Sequence, residues 1–287
     1  MAFTLTLANA VPTIWSKQML ETRDKQIVGV NLCNRDYEGE ITEKGCRVKI
    51  NGVVRPTITS YTGAALSTPE ELPSVSTYMD VNQAVYFNFQ VKDIDERTAQ
   101  GDFFDKELAE AATGFAESED TYVYSTIAAG VKSSNIIDIS SCGATTLPSK
   151  ISAGMKLLWD AKVPTSEEVS IEASPGFCEK VGLSRILHGT DNTSALTNGF
   201  VDAFRFFNAK LYMSNNIYKD GSNYEYIVMR TKGAVSFASK MGAVEPFRPE
   251  SGFSDAVKGL DVYDAKVVRP NEIVILRVQA YASETTI

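Results

Sequence analysis

A chain of 287 residues, 44% apolar and 22% charged, carries enough hydrophobic material for a sizeable core and shows no signature of disorder. Its formal net charge of −8 argues against a tight grip on nucleic-acid phosphates, which calls for the opposite balance, and favours solubility at high concentration. Four cysteines without C-x-x-C spacing and a single histidine argue against a zinc site or a disulfide framework, so Cys33, Cys46, Cys142 and Cys178 read as reduced thiols of a cytoplasmic protein.

Residues 1–36 read as an arm. Ala8-Asn9-Ala10 mimics a signal-peptidase site, yet no basic region precedes it, and Phe3-Thr4-Leu5-Thr6-Leu7 is too short for an export core. No stretch reaches membrane-spanning length, so a soluble, unexported protein is expected. Pro12 to Leu20 starts a short helix whose apolar face (Trp15, Met19, Leu20) is too small to fold alone. Such a segment has to dock on the body or on another subunit.

Residues 37–93 read as strands around a flexible tip. Cys46-Arg47-Val48-Lys49-Ile50 alternates, Asn51-Gly52 carries a turn signal, and Val53 to Ile58 follows as a second run. A polar section rich in Thr, Gly and Pro (Thr62 to Pro73) precedes a returning strand, Val81 to Val91. Together they describe a long β-hairpin projecting from the body. Isolated hairpins are marginal in water, so its partners are expected elsewhere.

From about Ile94 to Val131 the period changes to helical. Phe104, Leu108, Ala111 and Phe115 lie three or four residues apart, and Val123, Ile127 and Val131 continue the stripe. Asp102 stands at the N-cap position, and Gly130 with Lys132 marks the end. The result is a rod of roughly 40 Å.

Beyond it, Asn135 to Ile139 reads as a strand, and Ser149 to Lys162 as a helix buried through Ile151, Met155, Leu158 and Trp159. Thr165-x-x-Glu168 matches a capping box, but the alternation of Val169 to Ala173 favours strand there. Pro175-Gly176 opens another short helix. Leu211 to Tyr218 and Tyr224 to Met229 flank the turn signal Lys219-Asp220-Gly221-Ser222 as a hairpin. Gly233 to Met241 suggests a small helix, and Gly259 to Pro270 and Ile273 to Val278 close the chain as two strands. Helices and strands are segregated rather than alternating, which indicates an α+β fold.

The search for chemistry returns little. His188 lies near Ser184, Asp191 and Ser194, the only basis for a hydrolase triad, but no G-x-S-x-G elbow surrounds either serine and a polar loop is the favoured reading. Asp93, Asp95 and Glu96, and likewise Glu117, Glu119 and Asp120, fit a solvated or salt-bridged helix face better than a metal set. Phosphate-cradling glycine loops are absent, and Phe204, Phe206, Phe207 and Tyr212 lack the basic neighbours of a base-stacking surface. No catalytic, metal or cofactor-binding residue is assigned, so a structural or interaction protein is expected rather than an enzyme.

The order of arm, long hairpin, long helix, mixed domain and returning strands resembles the major capsid proteins of tailed bacteriophages. Tyr86-Phe87-Asn88-Phe89-Gln90-Val91-Lys92-Asp93-Ile94-Asp95 is similar to that family's junction between extended loop and spine helix. Ser174-Pro175-Gly176-Phe177 resembles its axial-domain strand-to-helix step, and Leu211-Tyr212-Met213-Ser214-Asn215 its strand ending in Ser-Asn. Asp255 to Pro270 resembles its closing peripheral strand, although family members usually carry Gly where this chain has Asp264. The resemblance implies a Hong-Kong-97-type capsid fold: an N-terminal arm (1–36), an extended β-hairpin loop (37–93), a peripheral domain with its spine helix (94–132 and 256–287) and an axial domain (133–255). It implies a subunit that self-assembles into the icosahedral shell around a double-stranded DNA genome, in the bacterial host cytoplasm and then in the virion. The implied partners are many copies of itself, a separate scaffolding protein, a portal, in some shells decoration proteins, and weakly contacted DNA, with no membrane. An encapsulin-like nanocompartment shares the architecture and is the alternative; a hydrolase using His188 is a more distant one.

Overall fold

A computed structural model describes residues 27–37, 45–52, 56–58, 60, 70, 75–92, 103–139, 146–183, 208–242, 244–250 and 254–279. Val30–Leu32 forms one 3-10 turn, and β1 (Arg47–Gly52) pairs antiparallel with β2 (Val75–Asp80). β3 (Gln83–Lys92) and the long helix α1 (Phe103–Gly130) follow. Then come β4 (Ile136–Ile139), α2 (Thr146–Asp160), β5 (Val169–Ala173) and α3 (Pro175–Leu183). The chain continues through β6 (Ala209–Met213), β7 (Tyr224–Thr231), β8 (Val235–Met241) and β9 (Glu245–Phe247), and closes with β10 (Ser254–Val267) and β11 (Ile273–Gln279).

Two sheets carry the body. In the first, β10 lies between β3 and β8, with β9 also paired to it; all these pairs are antiparallel. The second has the order β4-β11-β7-β5-β6, with parallel pairs at both edges. The molecule is α+β, as the segregation of its helices and strands predicts.

α1 joins the sheets. Its 28 residues span roughly 42 Å. In its first half Leu108, Ala112 and Phe115 bury against Val257 of β10, and the Phe115 ring lies 5.5 Å from that of Phe87 on β3. In its second half Val123, Tyr124 and Ile127 pack on Phe237 of β8, Tyr263 of β10, and Val228 and Ile275 of the second sheet. The helix ends at Gly130, where a Cβ would come within 2.7 Å of Val267. The far face of the second sheet is covered by α2 and α3 through Leu147, Ile151, Met155, Leu158, Phe177 and Val181.

Several expectations are corrected. Gly233 to Met241 is not a helix but a 3-10 turn (Lys232–Ala234) leading into β8. The four-residue spacing of Phe237 and Met241 imitated a helix, while Val235, Ser236, Phe237 and Ala238 are buried in succession, as a strand covered on both faces requires. Asn51-Gly52 makes no turn. Both residues lie in the β1–β2 ladder, opposite Ser76 and Val75. The hairpin's return strand is β2; the run from Val81 instead yields β3, which pairs with β10. The turn at Lys219 to Ser222 forms, with the Asp220 carboxylate accepting the Ser222 and Tyr224 amides at 2.9 Å each, but it closes only the bridge Lys219↔Glu225. β6 is no partner of β7; it runs parallel beside β5.

Sheet membership crosses residues 132/133 and 255/256 in the chain. β11 belongs to the five-stranded sheet, and β8 and β9 belong with β10. Of the described residues before 37, Ile27, Val30 and Cys33 are buried in the body.

Candidate functional site

Two segments, the Val28–Cys33 turn and the β1–β2 ribbon, are each tied to the body by a buried carboxylate. The first root is the turn from Val28 to Cys33, which lies between opposite charges. The Asp120 carboxylate of α1 accepts the backbone amides of Val28 and Val30, at 3.0 and 3.1 Å. At the other end, Arg230 of β7 donates to the carbonyls of Gly29 and Leu32, at 2.7 and 3.0 Å, and to Cys33 Sγ at 3.2 Å. Amides face the anion and carbonyls face the cation, which favours a helical turn at both its ends.

Arg230 also forks onto Glu172 of β5, at 2.7 Å from Nε and 3.2 Å from Nη2, and both side chains are 0% exposed. A charge so deeply buried is tolerable only when each polar atom is matched, as here. Burial raises the Asp120 carboxyl above the ordinary carboxylate range, against the pull of its backbone donors. Burial likewise raises the Cys33 thiol, so it stays protonated and donates to the Gly29 carbonyl at 3.2 Å; it is no nucleophile.

The second root belongs to the hairpin. Val48, Ile50, Met79 and Val81 pack on Ala238 and Val262 at one end of the first sheet. The corner residue Asn82 donates its amide to Asp264 at 3.2 Å. The outer side of the ribbon carries an Arg47–Asp80 pair with the Arg47 guanidinium 5.3 Å from the Tyr78 ring centre.

Next to the docked hairpin the same sheet face lies open. Directly paired residues share a face, so the register places Tyr86, Asn88, Leu260, Lys258, Glu245 and Phe247 side by side. Tyr86 is 76% exposed, Leu260 46% and Phe247 38%. Lys258 reaches over the Phe247 ring and pairs with Glu245 at 3.0 Å. Three exposed apolar side chains and one matched ion pair therefore share this face.

The triad candidates His188, Ser184, Asp191 and Ser194 lie outside the described residues, as do Asp93, Asp95, Glu96, Asp102, Phe204, Phe206, Phe207 and Cys142. Of the second acid group, Glu117 is exposed while Glu119 and Asp120 are buried, so of the two readings, solvated or salt-bridged, only Glu117 fits the solvated one. Tyr212 reaches Glu168 at 3.4 Å rather than a stack of rings. Among the described residues no three acidic, histidine or cysteine side chains are placed to hold a metal, and Cys33, Cys46 and Cys178 are free thiols. No helix among them is long and apolar enough to cross a membrane.

No protein-family model and no curated protein matches the chain. Solved structures do. One from Mycobacterium phage Che8 aligns with a TM-score of 0.71 at 25% identity, over 88% of this chain and 91% of that one. The capsid structure of the cyanophage P-SCSP1u aligns at 0.65 and 15% identity, over 87% of each chain. The fold is the Hong-Kong-97-type capsid fold. An encapsulin complex from Synechococcus elongatus shares this capsid fold at a TM-score of 0.60 and 12% identity, over 86% of each chain.

Proposed function

We propose that this chain is the repeating structural subunit of a closed shell: the major capsid protein of a tailed bacteriophage, enclosing double-stranded DNA. The observation that carries the reading is the likeness of nearly the entire chain to the Che8 and P-SCSP1u structures. The physical chemistry supports it independently. A solitary subunit leaves Tyr86, Leu260 and Phe247 in water beside a projecting ribbon that exposes Ile58 and Tyr78. Burying such side chains against neighbouring copies stabilises by about 1.5–3 kcal/mol for each one fully covered. Weak contacts of that size, repeated by symmetry, make a shell cooperative while single errors stay reversible.

On this reading the β3–β10–β8 sheet with α1 is the peripheral domain, and the five-stranded sheet with α2 and α3 is the axial domain near the five- and six-fold positions. The arm and the hairpin lie across adjacent copies. A scaffolding protein, a portal and decoration proteins are the partners in assembly, which takes place in the host cytoplasm before the protein resides in the virion. The role is structural rather than catalytic, and the negative charge keeps packaged DNA loosely held.

Negative-stain microscopy of the protein, expressed with and without the neighbouring phage genes, tests the proposal. Closed particles holding nuclease-protected DNA are expected in the first case. A strict monomer at high concentration in both cases overturns it. The encapsulin likeness keeps one second reading alive: particles that close unaided around a protein cargo select a nanocompartment instead.

A further inference from the structure

At the corner between β2 and β3 one buried carboxylate ties the chain to both the sheet and α1. β3 makes its first pair with β10 at Gln83↔Tyr263, so Asp264 is the β10 residue just past the end of β3. Its Oδ2 accepts the Asn82 amide at 3.2 Å. Its Oδ1 accepts the Tyr122 hydroxyl at 3.1 Å and the Ala265 amide at 2.6 Å. Hairpin corner, long helix and sheet therefore meet at one side chain, and that residue is only 7% exposed.

We propose that Asp264 is a proton-operated latch on the hairpin: on taking up a proton it lets go of Asn82 while keeping Tyr122 and Ala265. The two oxygens are unequal. Oδ1 serves two donors, one of them short, whereas Oδ2 serves a single donor at the longest distance of the three, so the proton settles on Oδ2. There it replaces a charged acceptor with a hydroxyl whose own hydrogen competes with the Asn82 N–H for the same space, and the charge-assisted bond goes.

The surroundings set the acidity required. Burial raises the Asp264 carboxyl above the ordinary range, opposed by its donors Asn82, Ala265 and Tyr122 and by the positive charge of Lys266. α1 contributes Tyr122 and Glu119, and β10 contributes Asp261, Tyr263 and Lys266. The hairpin contributes Asp80, paired with Arg47 and also drawn to Lys266. Both tyrosine hydroxyls are pushed up by burial and stay neutral, while burial makes Asp264 take up its proton more readily than an exposed carboxylate does. Release does not undock the ribbon. Val48, Met79 and Val81 remain packed on Ala238 and Val262, and Val81 keeps its backbone bonds to Cys46 and Gly45. What is freed is the angle at the corner. The inference concerns the subunit alone and stands whether or not copies assemble.

Hydrogen–deuterium exchange of the full chain, resolved to Asn82 by fragmentation mass spectrometry and corrected for intrinsic exchange, tests the latch. On acidification, protection of the Asn82 amide is expected to fall about tenfold, the worth of one hydrogen bond, while β11 amides hold. Asp264→Asn is expected to show the low value at every pH. Tyr122→Phe keeps the carboxylate but removes a donor that favours its charged form, so the fall moves to higher pH; this variant serves should the first fail to fold. A flat Asn82 profile in the unaltered chain, an unchanged pH-dependent fall in Asp264→Asn, or an unmoved midpoint in Tyr122→Phe overturns the proposal.

Discussion

Glu172 and Arg230 are diagonal neighbours on β5 and β7, and nothing in their local sequence announces a buried ion pair. Val169-Ser170-Ile171-Glu172-Ala173 alternates as a strand with one wet face does, yet every residue of it is buried. The second face is covered by α1 and the Val28–Cys33 turn, elements distant in sequence that alternation cannot register. Glu172→Ala is expected to cost about 3–5 kcal/mol in urea denaturation, because it strands the guanidinium in the interior. Glu172→Gln, which keeps an acceptor, is expected to cost less; equal losses would assign the effect to packing. Asp120 gives a pH test. Its folded pKa lies above the unfolded value, so the native state binds the proton more tightly. That contribution is complete below the unfolded value and is lost as pH rises through the folded one. Stability of the unaltered chain should therefore fall with pH across that window more steeply than that of Asp120→Asn.

Elements were legible wherever one period ran long enough. The three helices among the described residues and most strands follow from the spacing of apolar residues, including the end of α1 at Gly130. Pairing was less legible than existence. The Asn51-Gly52 signal is a strong local preference, but Val48 and Met79 side by side over Ala238 and Val262 bury more apolar surface in the register that runs through it. Tertiary packing overrode the turn. The same geometry separates the hairpin's root from its tip. Replacing residues 56–72 with a short Gly/Ser loop leaves β1, β2 and their docking intact, and a shorter closure changes stability by only about 1 kcal/mol. The urea midpoint of the isolated subunit is expected to hold, while velocity sedimentation shows particles lost or markedly fewer. A collapse of the midpoint would mean that the tip stabilises its own body.

At the scale of the whole molecule, a body packed around α1 leaves one sheet face open beside the docked β1–β2 ribbon. On the shell reading, the net charge of −8 sets copies against each other, so apolar contact has to be helped by screening. Added salt should therefore lower the concentration at which particles form. The open face itself is separable from folding. Tyr86 and Leu260 face each other across the β3–β10 ladder and are 76% and 46% exposed, so neither supports the core. Changing both to Asp should leave the unfolding transition within about 0.5 kcal/mol for each site, as surface substitutions do. Two further negative charges in an interface between like-charged copies should abolish particles in sedimentation and microscopy at any salt. If the double variant still assembles at the unaltered concentration, the open face is not the contact, and the hairpin's outer side with Ile58 and Tyr78 takes its place.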